Sequence, residues 1–413
     1  MKNERLLERF LRYVRIDTTA VPEAGRYPSS NGQLELGRLV ADELRALGLT
    51  DVEQDAHGLV WGTLPGNTPA AVDAFALCAH FDTSPETTGR NVRPQVWANY
   101  DGRDLMLPGD PSRVLKVADN PELRRCVGRT IVTTDGTTLL GADDKAGLAA
   151  IVEALAYLTE HPELPRAPIR ACFTCDEEIG YGVDYVDPKK LGAVCCYTLD
   201  GAGRDLIDVE TFSADLAKVT VRGVNIHPSI GKGRMVNAVR GAAEFTARLP
   251  RDRLAPEATD GRDGFLHPYS VAGGVAETVL HLLLRDFDTA QLRVQEQLLR
   301  QTAVEVERLM PGLAIDVVVT EQYRNMAEGL PREPRAVAYA EQAHRNLGRT
   351  PRRAIIRGGT DGSRLTESGV PTPNLSTGEQ NPHSPLEWCC LDDLAAAAEV
   401  IVELAQVWAR GGS

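Results

Sequence analysis

No stretch of this 413-residue chain approaches the roughly 20 uninterrupted apolar residues that a membrane-spanning helix requires. Even the alanine-rich tail, 394–409, is broken by Glu399 and Glu403. A secretory leader is not expected either, because Lys2, Glu4 and Arg5 stand where its apolar core would have to be. The expected location is therefore the cytoplasm, with no membrane partner. Positive charge is in short supply: 45 Lys and Arg face 58 Asp and Glu, a formal net charge of −13. Nucleic acids are bound through basic faces, so none is an expected partner, although a local basic pocket for a substrate carboxylate remains compatible with that balance. There is no internal repeat and no low-complexity tract.

Disulfide staples are not expected either. Of the eight cysteines, two pairs are adjacent (Cys195-Cys196 and Cys389-Cys390) and cannot bridge without strain, and a chain of this length does not depend on cross-links. Cys172-x-x-Cys175 has the spacing of a zinc or redox motif. It has no second CxxC to pair with, and it lies in Arg170–Asp176, which reads as a buried strand. Ordinary core thiols are the better expectation.

What is present is a globular composition, 43% apolar and 25% charged, in a chain long enough for two domains. Helical periodicity marks 3–15, 31–48 and 144–158, the last with Asp143 or Asp144 as its N-cap. Apolar runs at 73–79, 168–174 and 193–199 read as strands of a mixed, mostly parallel sheet with helices on both faces. Residues 86–135 are polar and rich in Pro and Gly, an excursion of hairpins and loops. From 211 the pattern changes to strand 215–222, helix 234–249, strand 269–274, strand 277–286, helix 288–309 and strand 313–321. That order is β-α-β-β-α-β, a ferredoxin-like α+β unit. Helix 332–347, strand 353–357, a Gly-rich turn and helix 391–410 then resume the α/β style. The expected organisation is an α/β domain made of 1–210 and 326–413, with a smaller lid domain inserted at 211–325.

The three apolar runs end alike, in His80-Phe81-Asp82, in Asp176-Glu177-Glu178 and in Asp200-Gly201. Ligands of open α/β sheets bind outside the carboxyl ends of the strands. A fourth acidic cluster, Asp143-Asp144, opens the helix between two of these strands. Each piece alone has an ordinary explanation: a hydrogen-bonded pair, a solvated turn, a helix cap. Together they crowd like charges, which repel at close range unless cations intervene. Imidazole and carboxylate donors suit zinc, with cobalt or manganese as substitutes, and two such ions need a bridging carboxylate or water.

The set resembles the dinuclear-zinc exopeptidases of the aminoacylase and carboxypeptidase superfamily, and within it the peptidase T branch of tripeptide aminopeptidases. The matching stretches span nearly the whole chain. They are Cys78-Ala-His-Phe-Asp-Thr-Ser-Pro85, Asn91-Val-Arg-Pro-Gln95, Thr133-Thr-Asp-Gly-Thr-Thr-Leu-Leu-Gly-Ala-Asp-Asp-Lys-Ala-Gly147, Asp176-Glu-Glu-Ile-Gly180, Asn225-Ile-His-Pro228, Met235-Val-Asn-Ala238, Arg285-Asp-Phe-Asp288 and Arg357-Gly-Gly-Thr-Asp-Gly362. The resemblance implies hydrolysis of the N-terminal residue from short peptides. It implies that Asp143 bridges two Zn2+ ions, that His80 and Asp200 complete one site, and that Glu178 and His383 complete the other. Asp82 would steady His80, and Glu177 would take a proton from the bridging water and pass it to the leaving amine. His227 of the inserted domain would help stabilise the oxyanion. Asn237, Arg357, Gly358 and Gly359 would position substrate, Arg357 by gripping a peptide carboxylate and the glycines by letting the backbone approach. The resemblance also implies a monomer or homodimer whose partner is a short peptide substrate.

Three departures lie near the substrate. Ser229 follows the lid His-Pro where the family has Gly, the third strand continues Asp200-Gly-Ala-Gly203, and the last ligand opens His383-Ser-Pro-Leu-Glu-Trp388 rather than His-Gly-x-x-Glu-Phe. The donor set itself is shared with dipeptidases, carboxypeptidases and N-acyl-amino-acid deacylases, which stand as the alternative activity. A non-catalytic binding relative would be expected to lack Glu177 or a ligand.

Overall fold

The structure is a computed structural model that describes residues 3–69 and 71–411. The chain forms two compact units. One takes the chain as far as Val209, then Gly329–Ala354 and everything from Thr360 onward; the other takes Glu210–Glu328 and Ile355–Gly359.

The first unit is built on a mixed sheet whose strands run, side by side, Thr50–Gln54, Val60–Leu64, Ile169–Thr174, Phe75–His80, Cys196–Ala202, Asn374–Gln380, Trp388–Cys390, Ile131–Thr133 and Gln95–Trp97. Parallel pairing is confined to the centre. Phe75–His80 lies parallel to both Ile169–Thr174 and Cys196–Ala202, and the latter lies parallel to Asn374–Gln380. Outside these four the pairings are antiparallel. The expected loop excursion supplies the last two strands of this row, Ile131–Thr133 and, at the edge, Gln95–Trp97, together with a hairpin of Leu105–Met106 with Val114–Leu115.

The central strands read as apolar runs because both their faces are covered. Phe75, Leu77 and Ala79 face one core, shared with the helices Asn3–Val14, Asn31–Ala46, Ala142–Glu160 and Leu391–Arg410. Ala76 and Cys78 face the other, with Leu191, Leu365 and Val370. The same alternation separates the CxxC pair: Cys172 packs in the second core and Cys175 in the first. Side chains three apart on a strand point to opposite faces, so this pair cannot chelate. All eight cysteines are unpaired and buried.

Helix Ala142–Glu160 is almost wholly inside, and its one buried carboxylate away from the N-terminus, Glu153, is matched by arginines. Arg5 Nη2 donates to it at 2.7 Å, Arg9 Nη1 pairs with it, and Arg9 Nε continues to Glu43 at 2.9 Å. Removing one partner of such a buried pair typically costs about 3–5 kcal/mol, so this network locks the N-terminal helix to the core. Among the described residues no helix is long and apolar enough to cross a membrane.

The second unit is a four-stranded antiparallel sheet in the order Phe265–Gly273, Glu277–Asp286, Ser213–Arg222, Ala314–Tyr323. Helices Ala238–Ala247 and Thr289–Leu309 cover one face, where Val219, Val221, Leu280, Leu282 and Leu284 alternate inward against Phe245, Leu292 and Leu299. The first of these helices begins four residues later than its periodicity predicts. Asn237 caps it, its Oδ1 accepting from Val239 N at 2.9 Å and Arg240 N at 3.3 Å, and residues before a cap are not helical.

Candidate metal centre

The parallel strands end in a row. His80 is the last residue of its strand, Asp200 lies within Cys196–Ala202, and Glu177 and Glu178 open a short 3-10 turn directly after Ile169–Thr174. Asp143 sits at the start of helix Ala142–Glu160, where the backbone is not yet helical. His383 stands on the loop between Asn374–Gln380 and Trp388–Cys390, with a positive φ of 60°.

These residues converge on Asp143. Its Oδ1 lies 3.0 Å from His80 Nε2, and its Oδ2 lies 3.3 Å from His383 Nε2. His80 Nε2 is also 3.7 Å from Asp200 Oδ1, and His383 Nε2 is 2.9 Å from Glu178 Oε2. Two groups result, His80–Asp143–Asp200 and Asp143–Glu178–His383, each with donor atoms within 4.8 Å of one another. Glu177 stands beside them with Oε2 3.9 Å from His80 Nε2.

Asp144 has a different task. Its Oδ1 accepts from Gly147 N and its Oδ2 from His80 N, each at 3.1 Å. It is the residue that caps the helix, which leaves the Asp143 carboxylate to the two imidazoles. Asp176 is likewise structural. It adopts φ 60° and accepts from Ser29 N at 2.6 Å and Gln33 Nε2 at 2.7 Å, fixing the turn that presents the next two glutamates.

Further buried side chains grip the peptides that carry the cluster. Asp82 accepts from Glu177 N through Oδ1 and from Glu178 N through Oδ2, both at 3.0 Å. Asn374 accepts from Asp200 N and donates to Asp200 O, each at 3.0 Å, and is itself oriented by Asp208 at 2.9 Å. Glu387 accepts from Leu140 N at 2.7 Å, Gly141 N at 2.9 Å and Asp143 N at 3.1 Å. Asn374, Asp208 and Glu387 are absent from the sequence-based site. The only signal for Glu387 was its place four residues after His383.

The electrostatics ask for cations. His80 Nδ1 faces the Asp82 carbonyl at 3.1 Å; a carbonyl only accepts, so Nδ1 carries the hydrogen. Nε2 then turns a lone pair toward Asp143 and Asp200, a contact that needs a proton or a cation in between. Burial, with the charge of Asp143 added, pushes Glu178 up to about 8 and Asp200 up to about 7. Burial also holds Glu177 well above the usual carboxylate range. Against the effect of burial, Asp143 and Glu178 push His383 up to about 12. Protons collect where positive charge is missing. Glu178 Oε1 is moreover buried without a hydrogen-bond partner among the described residues. An orphaned carboxylate oxygen, two imidazole nitrogens and a carboxylate between them fit two divalent metal ions.

The residues expected to meet substrate lie in the second unit. His227 is exposed and caps the turn Pro228–Ile230; its Nδ1 faces Ser229 Oγ at 2.7 Å and Ser229 N at 3.3 Å. Asn237 uses its side-chain carbonyl as the helix cap, and its amide nitrogen takes no part in the cap. Arg357 is already engaged: Nη1 donates to Gly261 O and Asp263 O, each at 2.9 Å, and Nη2 donates to Thr259 Oγ1 at 3.1 Å. Its guanidinium also stacks over Phe212 at 5.2 Å. Gly359 is required by packing, since a Cβ there would lie 2.3 Å from the Tyr323 ring, whereas Gly358 is open, with nothing nearer than 3.9 Å.

Comparison with known proteins agrees with this geometry. The pattern described as Peptidase family M20/M25/M40 matches residues 135–407. A protein of Geobacillus kaustophilus (strain HTA426) named Peptidase T is 43% identical over 413 residues, covering 100% of both chains. Among solved structures, aminopeptidase PepT from Bacillus cereus ATCC 10987 superposes with a TM-score of 0.76 at 24% identity, over 99% of each chain. A dinuclear metal binding peptidase of Bacillus subtilis from the M20 family superposes with a TM-score of 0.65 at 15% identity, over 98% of each. At those identities the structures speak for the fold.

Proposed function

This chain belongs to peptidase family M20/M25/M40, and on that premise we propose that it removes the N-terminal residue from short peptides, tripeptides above all, by metal-dependent hydrolysis. The observation that carries the reading is the Asp143 carboxylate set between two imidazoles, 3.0 Å from His80 Nε2 and 3.3 Å from His383 Nε2. The activity and the peptide class follow the full-length relative named Peptidase T. Zinc is the preferred ion for a donor set of imidazole and carboxylate, with cobalt or manganese as substitutes. His80 and Asp200 would hold one ion, Glu178 and His383 the other, and Asp143 both. When bound, such a pair lowers the pKa of a shared water and polarises the scissile carbonyl.

The chain's own residues supply the rest. Asp82 keeps Nδ1 of His80 protonated, so that Nε2 offers its lone pair. Glu177 is the proton carrier. Its backbone is pinned by Asp82, its side chain borders the cluster, and burial keeps its carboxylate ready to hold a proton. It accepts the proton of the attacking water and delivers it to the leaving amine. His227 and the Asn237 amide are the lid groups proposed to meet the substrate. Arg357 can grip a peptide carboxylate only by releasing the 259–263 turn, so its proposed role is the weaker fit. Eight unpaired thiols suit a reducing compartment, the cytoplasm.

End groups test the activity. A tripeptide with a blocked N-terminus should resist cleavage, while the same peptide with an amidated C-terminus should still be cut. The reverse pattern would make this a carboxypeptidase on the same donor set.

A further inference from the structure

Helix Ala142–Glu160 begins with a gap in its own chemistry. Gly141 precedes it with a left-handed φ of 78° and has no side chain to cap it, and Asp143 and Asp144 are both non-helical. Asp144 caps the regular part of the helix through Gly147 N. The N–H groups just ahead of that point, on Leu140, Gly141 and Asp143, have no local acceptor. All three converge on one carboxylate from 244 residues or more down the chain, that of Glu387. Successive N–H groups turned toward one point form an anion-binding nest, and Glu387 fills it.

We propose that Glu387 is the positioning residue for the shared ligand: it fixes the Asp143 backbone, and with it the dinuclear site, by capping Leu140–Asp143 from the loop that carries His383. The proposal rests on the metal-dependent reading above. Both oxygens are used, Oε2 on Leu140 and Gly141 and Oε1 on Asp143. The side chain is buried, only 1% of the residue being exposed. A carboxylate is not taken out of water without such compensation. Its own end is anchored as well, since Glu387 N donates to Ser384 O at 3.1 Å and Trp388 pairs with Thr133 in the sheet. Glu387 thus connects the backbone of Asp143 to the loop of His383, two residues whose side chains meet at 3.3 Å. The group Asp143–Glu178–His383 depends on it at both ends. The group His80–Asp143–Asp200 depends on it once.

An amide at this position keeps the shape but has one acceptor oxygen where two are used. Glu387→Gln should therefore weaken binding of at least one of two Zn2+ equivalents by about ten- to hundredfold, the usual effect of removing an outer partner of a metal ligand. The measurement is titration of the metal-free full-length protein with Zn2+ in competition with a chromogenic chelator, alongside its melting temperature without metal. A purely structural role would lower the melting temperature and leave the affinities of the folded protein unchanged, and that outcome overturns the proposal. If Glu387→Gln does not fold, Glu387→Asp keeps the charge but falls short of the three N–H groups; it should show the same weakening, and unchanged affinities there overturn the proposal equally. If the unaltered protein takes up no Zn2+ at all, the metal-dependent reading itself fails. If it takes up two equivalents and both variants match it, only the role of Glu387 falls.

Discussion

The two groups that share Asp143 are held in different ways. His80 and Asp200 belong to adjacent parallel strands, and their side chains are 2% and 11% exposed. Glu178 belongs to a short turn and His383 to a loop, and the His383 side chain is 35% exposed. One half of the centre is part of the sheet, while the other is brought to it by segments that follow the sheet. A ligand fixed by a strand pays little ordering entropy on binding; a ligand on a loop pays more. The sheet-borne group should be the tighter and the loop-borne group the more exchangeable.

Asp143→Asn tests what the groups have in common and should have the largest effect. Both metal equivalents should be lost or greatly weakened, with activity falling well beyond the ~100-fold typical of an outer residue. Full occupancy of both sites in that variant would refute the bridging role. The single-ligand variants sharpen the contrast. His383→Asn leaves the sheet-borne group intact and His80→Asn leaves the loop-borne group intact. The ion remaining in His383→Asn should be held about tenfold more tightly than the ion remaining in His80→Asn, a difference on the scale of outer-partner effects. Equal affinities would erase the distinction drawn here.

Glu177→Gln separates the metals from the chemistry. Glu177 belongs to neither group, and its Oε2 stands 3.9 Å from His80 Nε2. Metal content should be unchanged while kcat falls by about 10²–10⁴-fold, the range for a general acid–base group. Near-normal turnover would remove Glu177 from the mechanism.

The same contrast explains how much was readable beforehand. His80, Glu177, Glu178 and Asp200 stood out because strands buried on both faces are apolar runs, and a charged residue ending such a run is conspicuous. The strand that leads to His383 is buried too, but beside Leu375 and Gly378 its interior residues are the polar Asn374, Ser376, Thr377 and Glu379. A polar strand gives little apolar signal, so His383 rests mainly on the family resemblance. The polarity has a cause in Asn374, which holds both sides of the Asp200 peptide. Asp143 and Asp144 were likewise inseparable in sequence, because either can cap a helix; the distinction lies in hydrogen bonds that reach across the fold. Glu387 stands in the family's His-x-x-x-Glu pattern, but its task is hidden for the same reason. Its three partners lie some 245 residues away in sequence, and no local pattern encodes them.

A smaller effect is expected from pH. In the metal-free protein Asp200 is pushed from 3.8 up to about 7, and Glu178 from 4.5 up to about 8. A carboxyl whose pKa is raised on folding favours the folded state below its unfolded pKa and loses that contribution as pH rises through the folded value. The melting temperature without metal should therefore decline between about pH 4 and about pH 8, and added Zn2+ should restore it most at the upper end, where Asp200 and Glu178 have given up their protons. A metal-free melting temperature that rises across this window would contradict the crowding of charge on which both groups rest.

The smallest expected change lies in the second unit and concerns a single hydrogen bond. The backbone N–H of Ser229 can only donate, so Nδ1 of His227 must accept, and in the neutral ring Nε2 carries the hydrogen. The Ser229 hydroxyl, at 2.7 Å, adds a second donor to the same nitrogen. An Nε2–H donor is the form an oxyanion requires. Both residues are exposed, so the hydroxyl should contribute only about 0.5–1 kcal/mol. Ser229→Ala should then lower kcat by roughly two- to fivefold with KM unchanged, and should increase the fraction of His227 protonated on Nδ1 in nitrogen NMR spectra. A tautomer ratio identical to that of the unaltered protein would show that the turn backbone alone sets the ring, and that the serine in place of the family glycine is silent in the chemistry.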